Sequence, residues 1–131
     1  MVFHGAAGGE LSGTSVSAAG DINYDGKGDL AIGAPGAENE TGRVYLIYGP
    51  LQPGVIDLAT VGSTTPGLIF RGESAGDRAG QSVSLWPDPF VDGFDDLIIG
   101  APAATTLDEF GEPITDAGLV YAIHGLSLIH I

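Results

Sequence analysis

The chain has 131 residues, of which 44% are hydrophobic, so it can build one domain with a core and is not a disordered tail. Seventeen acidic side chains against four basic ones give a net charge of −13, which argues against nucleic-acid binding and favours cations. The absence of cysteine excludes disulfides and thiolate metal sites, and no apolar stretch reaches the roughly 20 residues of a membrane span.

The predicted elements are short strands, since 22 glycines and 8 prolines separate the apolar runs. In chain order, Gly13 to Ala19 alternates small and apolar residues, and Asp29 to Gly33 is a short apolar run. Val44 to Tyr48 is rich in β-branched and aromatic residues, and Leu68 to Phe70 is a fourth run. No segment combines a helical period with helix caps, so the sequence predicts an all-β fold.

An internal repeat organises the chain. Residues 1–35 align on residues 68–102 at an offset of 67 without a gap, and 16 of the 35 positions are identical. After a longer loop, residues 42–49 match residues 118–125 at an offset of 76, because the second copy carries nine extra residues. A period of this length with several strands per copy is typical of propeller-like repeat architectures.

The repeat divides the chain into unit 1, residues 1–67, and unit 2, residues 68–125. Residues 1–5 align with the fourth strand of a unit, so we expect them to be the last strand of a preceding blade. Closed propellers have typically 4–8 blades, and two units therefore suggest a piece of a longer protein. The tail, residues 126–131, matches neither copy and is either a non-native addition or an ordinary terminal strand.

A nine-residue loop in unit 1 carries oxygen donors at alternate positions. Those at loop positions 1, 3, 5, 7 and 9 are Asp21, Asn23, Asp25, Lys27 through its carbonyl group, and Asp29. Calcium takes 6–8 such oxygens, and Gly26 permits the sharp turn that brings them together. The alternative is a metal-free Asp/Asn/Gly turn. An EF-hand is excluded, because loop position 12 is Ile32 where that loop needs Glu.

Unit 2 has a related loop with a weaker set of donors. Asp88, Asp92 and Asp96 keep loop positions 1, 5 and 9, and Phe94 would offer its carbonyl group at position 7. Position 3 is Phe90, so one oxygen ligand is lost and a bulky ring is added. The loop is either a weakened calcium site or a degenerate turn that packs its aromatic side chains.

The Asp-x-Asn-x-Asp-Gly-x-x-Asp loop, followed by Leu-x-Ile-Gly-Ala-Pro, resembles the FG-GAP repeat. The Gly-Ala-Pro recurs at Gly33 to Pro35 and at Gly100 to Pro102, whereas Thr14 and Gln81 stand where the family has its Phe. The resemblance implies two four-stranded antiparallel blades of an integrin-α-type β-propeller, a fragment of a seven-bladed ring. It also implies calcium in the loops that join the first and second strands of each blade.

The resemblance further implies a calcium-binding, non-catalytic module for extracellular or cell-surface binding or adhesion. Its expected partners are an unknown protein or glycan on the propeller face and further FG-GAP repeats of the full-length chain. The alternative is an accessory propeller of a larger secreted hydrolase or phospholipase, since no nucleophile or acid–base constellation is present here. A third hypothesis is that the chain is a structural surface repeat that binds no ligand. Met1 to Gly5 lacks a signal-peptide pattern, so the extracellular location rests on the family alone.

Two further features have open interpretations. Trp86 has no aromatic counterpart in unit 1 and serves either core packing or ligand stacking. The insertion from Ala103 to Ala117 is acidic and is either a recognition loop or a solvated one. His4 and His124 are expected to be strand or rim residues rather than catalytic ones.

Overall fold

The structure is a computed structural model that describes residues 1–88 and 93–125. Helix in this part is confined to a short turn, α1 (Ala37–Glu40), and a 3-10 turn at Leu58–Thr60, and neither is long and apolar enough to cross a membrane. The described strands are β1 (Val2–His4), β2 (Ser15–Gly20), β3 (Asp29–Ala34), β4 (Arg43–Ile47), β5 (Val55–Asp57), β6 (Gly67–Arg71), β7 (Ser82–Trp86), β8 (Asp96–Ala101), β9 (Thr106–Leu107), β10 (Pro113–Ile114) and β11 (Leu119–Ile123).

The first blade is a four-stranded antiparallel sheet in the order β2-β3-β4-β6. Each of the four predicted runs overlaps one of these strands, so the all-β prediction is confirmed. Ile32 on β3 faces Tyr45 on β4, and Val44 on β4 faces Phe70 on β6. The oxygen-rich loop of unit 1 joins β2 to β3, the first two strands of the blade.

The second blade repeats this arrangement with β7, β8 and β11 in the order β11-β8-β7. These strands correspond to β4, β3 and β2 of the first blade, read in the same spatial order. A fourth strand equivalent to β6 would follow residue 125. The tail, residues 126–131, lies outside the described residues, so its nature stays open.

Some strand pairings and short elements were not predicted from the sequence. β1 pairs in parallel with β5, with Val2 opposite Val55 and His4 opposite Asp57. The prediction that residues 1–5 end a preceding blade stays a prediction, as do the unit boundaries. In the insertion, β9 and β10 form a small antiparallel hairpin. The turn α1 contains Glu38 and Asn39 in left-handed conformation, with φ of 51° and 57°, so it is a tight turn rather than a regular helix.

The core consists of two layers, one on each face of the first blade. Successive residues of β4 alternate between them, because side chains along a strand point to opposite faces. Val44 and Leu46 join the layer between the blades, and Tyr45 and Ile47 join the outer layer. The inter-blade layer also contains Ile22, Ala31, Ala79, Leu85, Leu97, Ile99, Ala101 and Ala104. This shared layer fixes the second blade against the first and brings their loops to the same edge.

The blades also touch through their backbones. A Cβ on Gly33 would lie 2.0 Å from the carbonyl oxygen of Gly80, so only glycine permits the approach of β3 to the turn before β7. The Ser15 hydroxyl donates to the same Gly80 carbonyl at 2.8 Å. The Leu85 N–H donates to the Ser17 hydroxyl at 3.0 Å. The two blades are therefore packed as one unit.

Candidate metal centre

The loop between β2 and β3, hereafter loop 1 (residues 21–29), is compact because two of its residues adopt left-handed backbone conformations. Tyr24 has φ of 56° and Gly26 has φ of 80°. The Ile22 side chain is fully buried in the inter-blade layer, whereas Tyr24 is exposed. One apolar anchor therefore holds loop 1 to the core while its polar side chains stay at the edge.

The Asp21 carboxylate organises the turn from position 1. Its Oδ1 accepts from the Asp25 N–H at 3.0 Å, and its Oδ2 accepts from the Gly26 N–H at 2.8 Å. The Asp25 Oδ1 accepts from the Lys27 N–H at 2.8 Å. These bonds curl the backbone around the carboxylates, so the sequence-predicted donors at positions 1, 5 and 7 come together in one small loop.

Asn23 at position 3 supplies the least satisfied polar atom of loop 1. The residue is only 7% exposed, and its Nδ2 donates to Asp25 Oδ2 at 3.4 Å. Its Oδ1 is buried and has no hydrogen-bond partner among the described protein atoms. Buried polar oxygens in folded proteins normally have a partner, because leaving one unpaired costs about 1–3 kcal/mol. A metal ion bound by loop 1 would provide that partner.

Asp29 at position 9 is buried and ties loop 1 to both neighbouring strands. Its Oδ2 accepts from the Ile22 N–H at 2.8 Å, and its Oδ1 accepts from the Gly49 N–H at 2.9 Å. Burial raises the pKa of Asp29, the two N–H donors oppose this rise, and the negative charges of Asp21 and Asp25 add to it. The Asp21 and Asp25 carboxylates thus each repel the charge of Asp29, and a divalent cation would offset that repulsion.

Across the described parts of the chain, no three Asp, Glu or His side chains converge in an arrangement that could hold a metal ion. In loop 1 the physical reason is visible, since Asp21 and Asp29 direct their oxygens at main-chain N–H groups. An ionised carboxylate has about four lone-pair sites, so these bonds leave acceptor capacity. With Asn23 Oδ1 and the Lys27 carbonyl group, the donor set is all oxygen and fits calcium.

The loop of unit 2, hereafter loop 2 (residues 88–96), reproduces two contacts of loop 1. The Asp88 Oδ2 accepts from the Gly93 N–H at 3.2 Å, as Asp21 does from Gly26. The Asp96 Oδ1 accepts from the Gly125 N–H at 2.7 Å, as Asp29 does from Gly49. The predicted donor Asp92 and the substituted position Phe90 lie outside the described residues.

The ninth position of loop 2 differs from that of loop 1. Among the described residues, Asp96 Oδ2 is buried without a hydrogen-bond partner, whereas the equivalent oxygen of Asp29 accepts from the Ile22 N–H. The sequence explains the difference, because Pro89 stands where loop 1 has Ile22 and proline has no N–H. His124, which replaces Tyr48, places its Nδ1 3.8 Å from this oxygen.

The two loops lie side by side. The rings of Tyr24 and Phe94 meet edge to face with centroids 5.6 Å apart. The Asp95 carboxylate accepts from the backbone N–H of Asp21 and of Asp88. Asp95 was not predicted from the sequence to belong to the site. The repeat nevertheless distinguishes it, since Gly28 occupies the equivalent position in loop 1.

The sequence also left open the roles of Trp86 and of the acidic insertion. The Trp86 side chain is about half exposed at the end of β7. In the insertion, Asp108 accepts from the N–H groups of Phe110 and Glu112, and the Phe110 side chain is 82% exposed at the tip of the hairpin. The insertion is therefore an ordered acidic turn.

Loop 1 and the strands around it match the model of a known protein family. The family model described as FG-GAP repeat matches residues 12–47, which span β2, loop 1, β3 and β4. The chain is an FG-GAP repeat protein. The two sheets are accordingly two blades of a β-propeller, and the FG-GAP motif covers the first blade up to its third strand.

Two kinds of relative align with most of this chain. Phosphatidylinositol-glycan-specific phospholipase D from Homo sapiens is 38% identical over 112 residues, which are 80% of this chain and 12% of the relative. Integrin alpha-PS5 from Drosophila melanogaster is 40% identical over 92 residues, 70% of this chain and 9% of the relative. Integrin alpha-5 from Xenopus laevis is 42% identical over 98 residues, 69% of this chain and 8% of the relative. The chain thus spans about one-eighth or less of the length of these relatives.

Proposed function

We propose that the chain is a calcium-stabilised, non-catalytic propeller segment that supports binding or adhesion outside the cell. The observation that carries the proposal is the buried Oδ1 of Asn23, which has no hydrogen-bond partner in the described part of the chain and lies in a loop with three carboxylates. A metal-free turn would not need that oxygen to be buried. A hard cation would accept it together with Asp21, Asp25, Asp29 and the Lys27 carbonyl group.

The proposed role of the cation is structural. Bound calcium would offset the burial and the carboxylate repulsion that together raise the pKa of Asp29, and would hold the hairpin between β2 and β3 in one conformation. Asp29 extends this effect, because its carboxylate already bonds to Gly49 at the end of β4. Loop 1 would thus connect the cation to three strands of the first blade. In loop 2 the proposed ligands are Asp88, Asp92, the Phe94 carbonyl group and Asp96.

Calorimetry of the chain tests the calcium site. We expect binding with a Kd on the order of 10⁻⁴–10⁻³ M, as in extracellular calcium modules. A calcium concentration of about 10–100 times Kd then stabilises the fold by about 1.4–2.7 kcal/mol relative to EDTA. An unchanged melting temperature in calcium and EDTA, with no binding heat, would refute the proposal.

A matched pair of variants locates the site. Asp25 and Asp57 are both exposed carboxylates that accept from the N–H two residues ahead, at 2.8 Å and 2.9 Å. Asp25→Ala should abolish most of the calcium-dependent shift, whereas Asp57→Ala should keep it. Loss of the shift in both variants would mean that calcium stabilises the fold elsewhere than in loop 1.

The phospholipase D relatives favour a second candidate function. The human relative is 38% identical over 80% of this chain, although the shared part is only 12% of its length. The chain would then be an accessory propeller of a larger secreted enzyme, with catalysis in another part of that enzyme. The sequence that flanks this segment in its full-length protein distinguishes the candidates, since a hydrolase domain beside the repeats would favour the accessory role.

The proposed partners are a protein or glycan on the propeller face and further FG-GAP repeats. The net charge of −13 disfavours nucleic acid as a ligand. An extracellular or cell-surface location suits an affinity near the millimolar range, because calcium sites of that strength fill at extracellular concentrations. A glycan and matrix-protein array, probed in calcium and in EDTA, tests this part. Equal signals in both buffers would mean that ligand binding does not depend on the cation.

A further inference from the structure

Asp95 connects the two loops with one carboxylate. Its Oδ2 accepts from the Asp21 N–H at 2.7 Å, and its Oδ1 accepts from the Asp88 N–H at 3.2 Å. Asp21 and Asp88 are the first residues of loop 1 and loop 2. Each oxygen of Asp95 therefore holds the start of a different loop, and one of these contacts crosses from the second blade to the first.

The backbone around this contact is built for close approach. A Cβ on Gly20, the residue before Asp21, would lie 2.8 Å from the Cβ of Leu85 and 3.3 Å from Asp95 Oδ2. A Cβ on Gly125 would lie 2.2 Å from the Cβ of Phe94 and 2.4 Å from the Asp95 carbonyl oxygen. Glycine at both positions lets the Asp95 segment fit between the end of β2 and the end of β11.

Asp95 is outside the repeated set of oxygen donors. It stands at loop position 8, where loop 1 has Gly28, so the carboxylate is a feature of the second copy alone. Gly28 has no side chain and could not make the same contact toward a blade preceding the first. The link therefore has a direction, from loop 2 back to loop 1.

We propose that Asp95 is a positioning residue for the cation site of loop 1, so that this site depends on two blades rather than one. This inference rests on the proposed calcium function. Asp95 fixes the backbone of Asp21, whose carboxylate organises the turn through Asp25 and Gly26. Its negative charge also adds to the field that attracts the cation. Loss of residues that orient metal ligands typically weakens metal binding by about 10- to 100-fold.

The test compares two carboxylates that make similar contacts. Asp108 also accepts from two backbone N–H groups, but it lies in the turn between β9 and β10. That hairpin follows the end of β8, whereas loop 2 precedes its start, so about 17 Å of strand separate them. Asp95→Asn keeps the shape of the side chain but leaves one oxygen for two N–H donors. Asp108→Asn makes the same chemical change far from the loops.

Two measurements on the 131-residue chain decide the question. Titration with calcium chloride should show about tenfold weaker binding in Asp95→Asn and in Asp95→Ala, and unchanged binding in Asp108→Asn. Hydrogen exchange in EDTA should show faster exchange of the Asp21 amide in Asp95→Ala than in the unaltered chain. Wild-type calcium affinity in both Asp95 variants would overturn the positioning role.

The two measurements also separate this inference from the proposed function. If the unaltered chain bound no calcium, the proposed function would be wrong and the cation role of Asp95 with it. The exchange rate would then test only the hydrogen bond between the Asp21 N–H and Asp95. Unchanged protection of the Asp21 amide in Asp95→Ala would overturn that bond. If calcium bound and only the Asp95 variants were weakened, both the function and the inter-blade role would be supported.

Discussion

Replacing Asp29 by alanine should destabilise the metal-free protein, because the carboxylate holds the fold together before any cation binds. The change leaves two N–H groups unpaired, those of Ile22 and Gly49, which now donate at 2.8 Å and 2.9 Å in a buried setting. Each unpaired buried donor costs about 1–3 kcal/mol, which gives roughly 2–6 kcal/mol. Removing a buried carboxylate whose pKa is raised recovers part of this free energy. We therefore expect the free energy of unfolding to fall by about 2–4 kcal/mol.

Urea denaturation in EDTA measures this loss without interference from calcium. Asp25→Ala is the comparison, because the Asp25 carboxylate accepts from an exposed N–H and its removal should change stability in EDTA by less than about 1 kcal/mol. Both variants should lose the calcium-dependent stabilisation. Equal stability of Asp29→Ala and the unaltered chain in EDTA would refute the reasoning, since the two buried bonds would then contribute nothing.

Three further predictions address the site and the packing. Asn23→Ala should weaken calcium binding while stability in EDTA stays the same or rises slightly, because the variant removes an unpaired buried oxygen; titration and melting measure the two effects, and unchanged affinity would contradict the donor assignment. Because the Asp29 pKa is raised above its ordinary 3.8, protons compete with the cation, so calcium affinity should fall as pH falls through that raised pKa. In EDTA the sign is opposite: the stability due to protonated Asp29 is complete below the ordinary pKa and is lost as pH rises through the raised one. Titration and urea denaturation across a pH series measure both trends, and a pH-independent affinity would count against Asp29 as a ligand. Gly33→Ala should destabilise the chain by about 1–3 kcal/mol or more, because its Cβ would lie 2.0 Å from the Gly80 carbonyl oxygen, whereas Gly28→Ala meets nothing within 4 Å and should stay within about 0.5 kcal/mol in EDTA. Similar melting temperatures for the two alanine variants would contradict the packing between the blades.

The repeat in the sequence predicted the parts of the fold that recur. The run Gly13 to Ala19 corresponds to β2 (Ser15–Gly20), and Leu68 to Phe70 lies within β6 (Gly67–Arg71). The ninth-position aspartates are equivalent in the structure too, since Asp29 and Asp96 each bond to the glycine that follows the third strand. Such features are local or repeated, so periodicity and loop spacing are sufficient to find them.

Contacts between segments that are distant in the chain could not be predicted from the sequence. Asp95 meets Asp21 across 74 positions, and neither hydrophobic period nor motif spacing marks that pair. The buried Glu10 likewise accepts from the Tyr45 hydroxyl at 3.1 Å and from Arg43 at 3.3 Å, although it precedes β2 in a glycine-rich stretch. Acidic side chains in turns are usually solvated, so their burial follows only from the way the blades pack.

The glycines at the contact between the blades have a consequence for how such proteins can vary. A Cβ on Gly42 would lie 2.1 Å from the Ala79 carbonyl oxygen, and one on Gly80 would lie 2.5 Å from the Arg43 carbonyl oxygen. Where main chain meets main chain, peptide dimensions set the spacing, and side-chain volume has no influence on it. Changes in loops and insertions such as the β9–β10 hairpin should therefore leave the angle between the two blades unaltered.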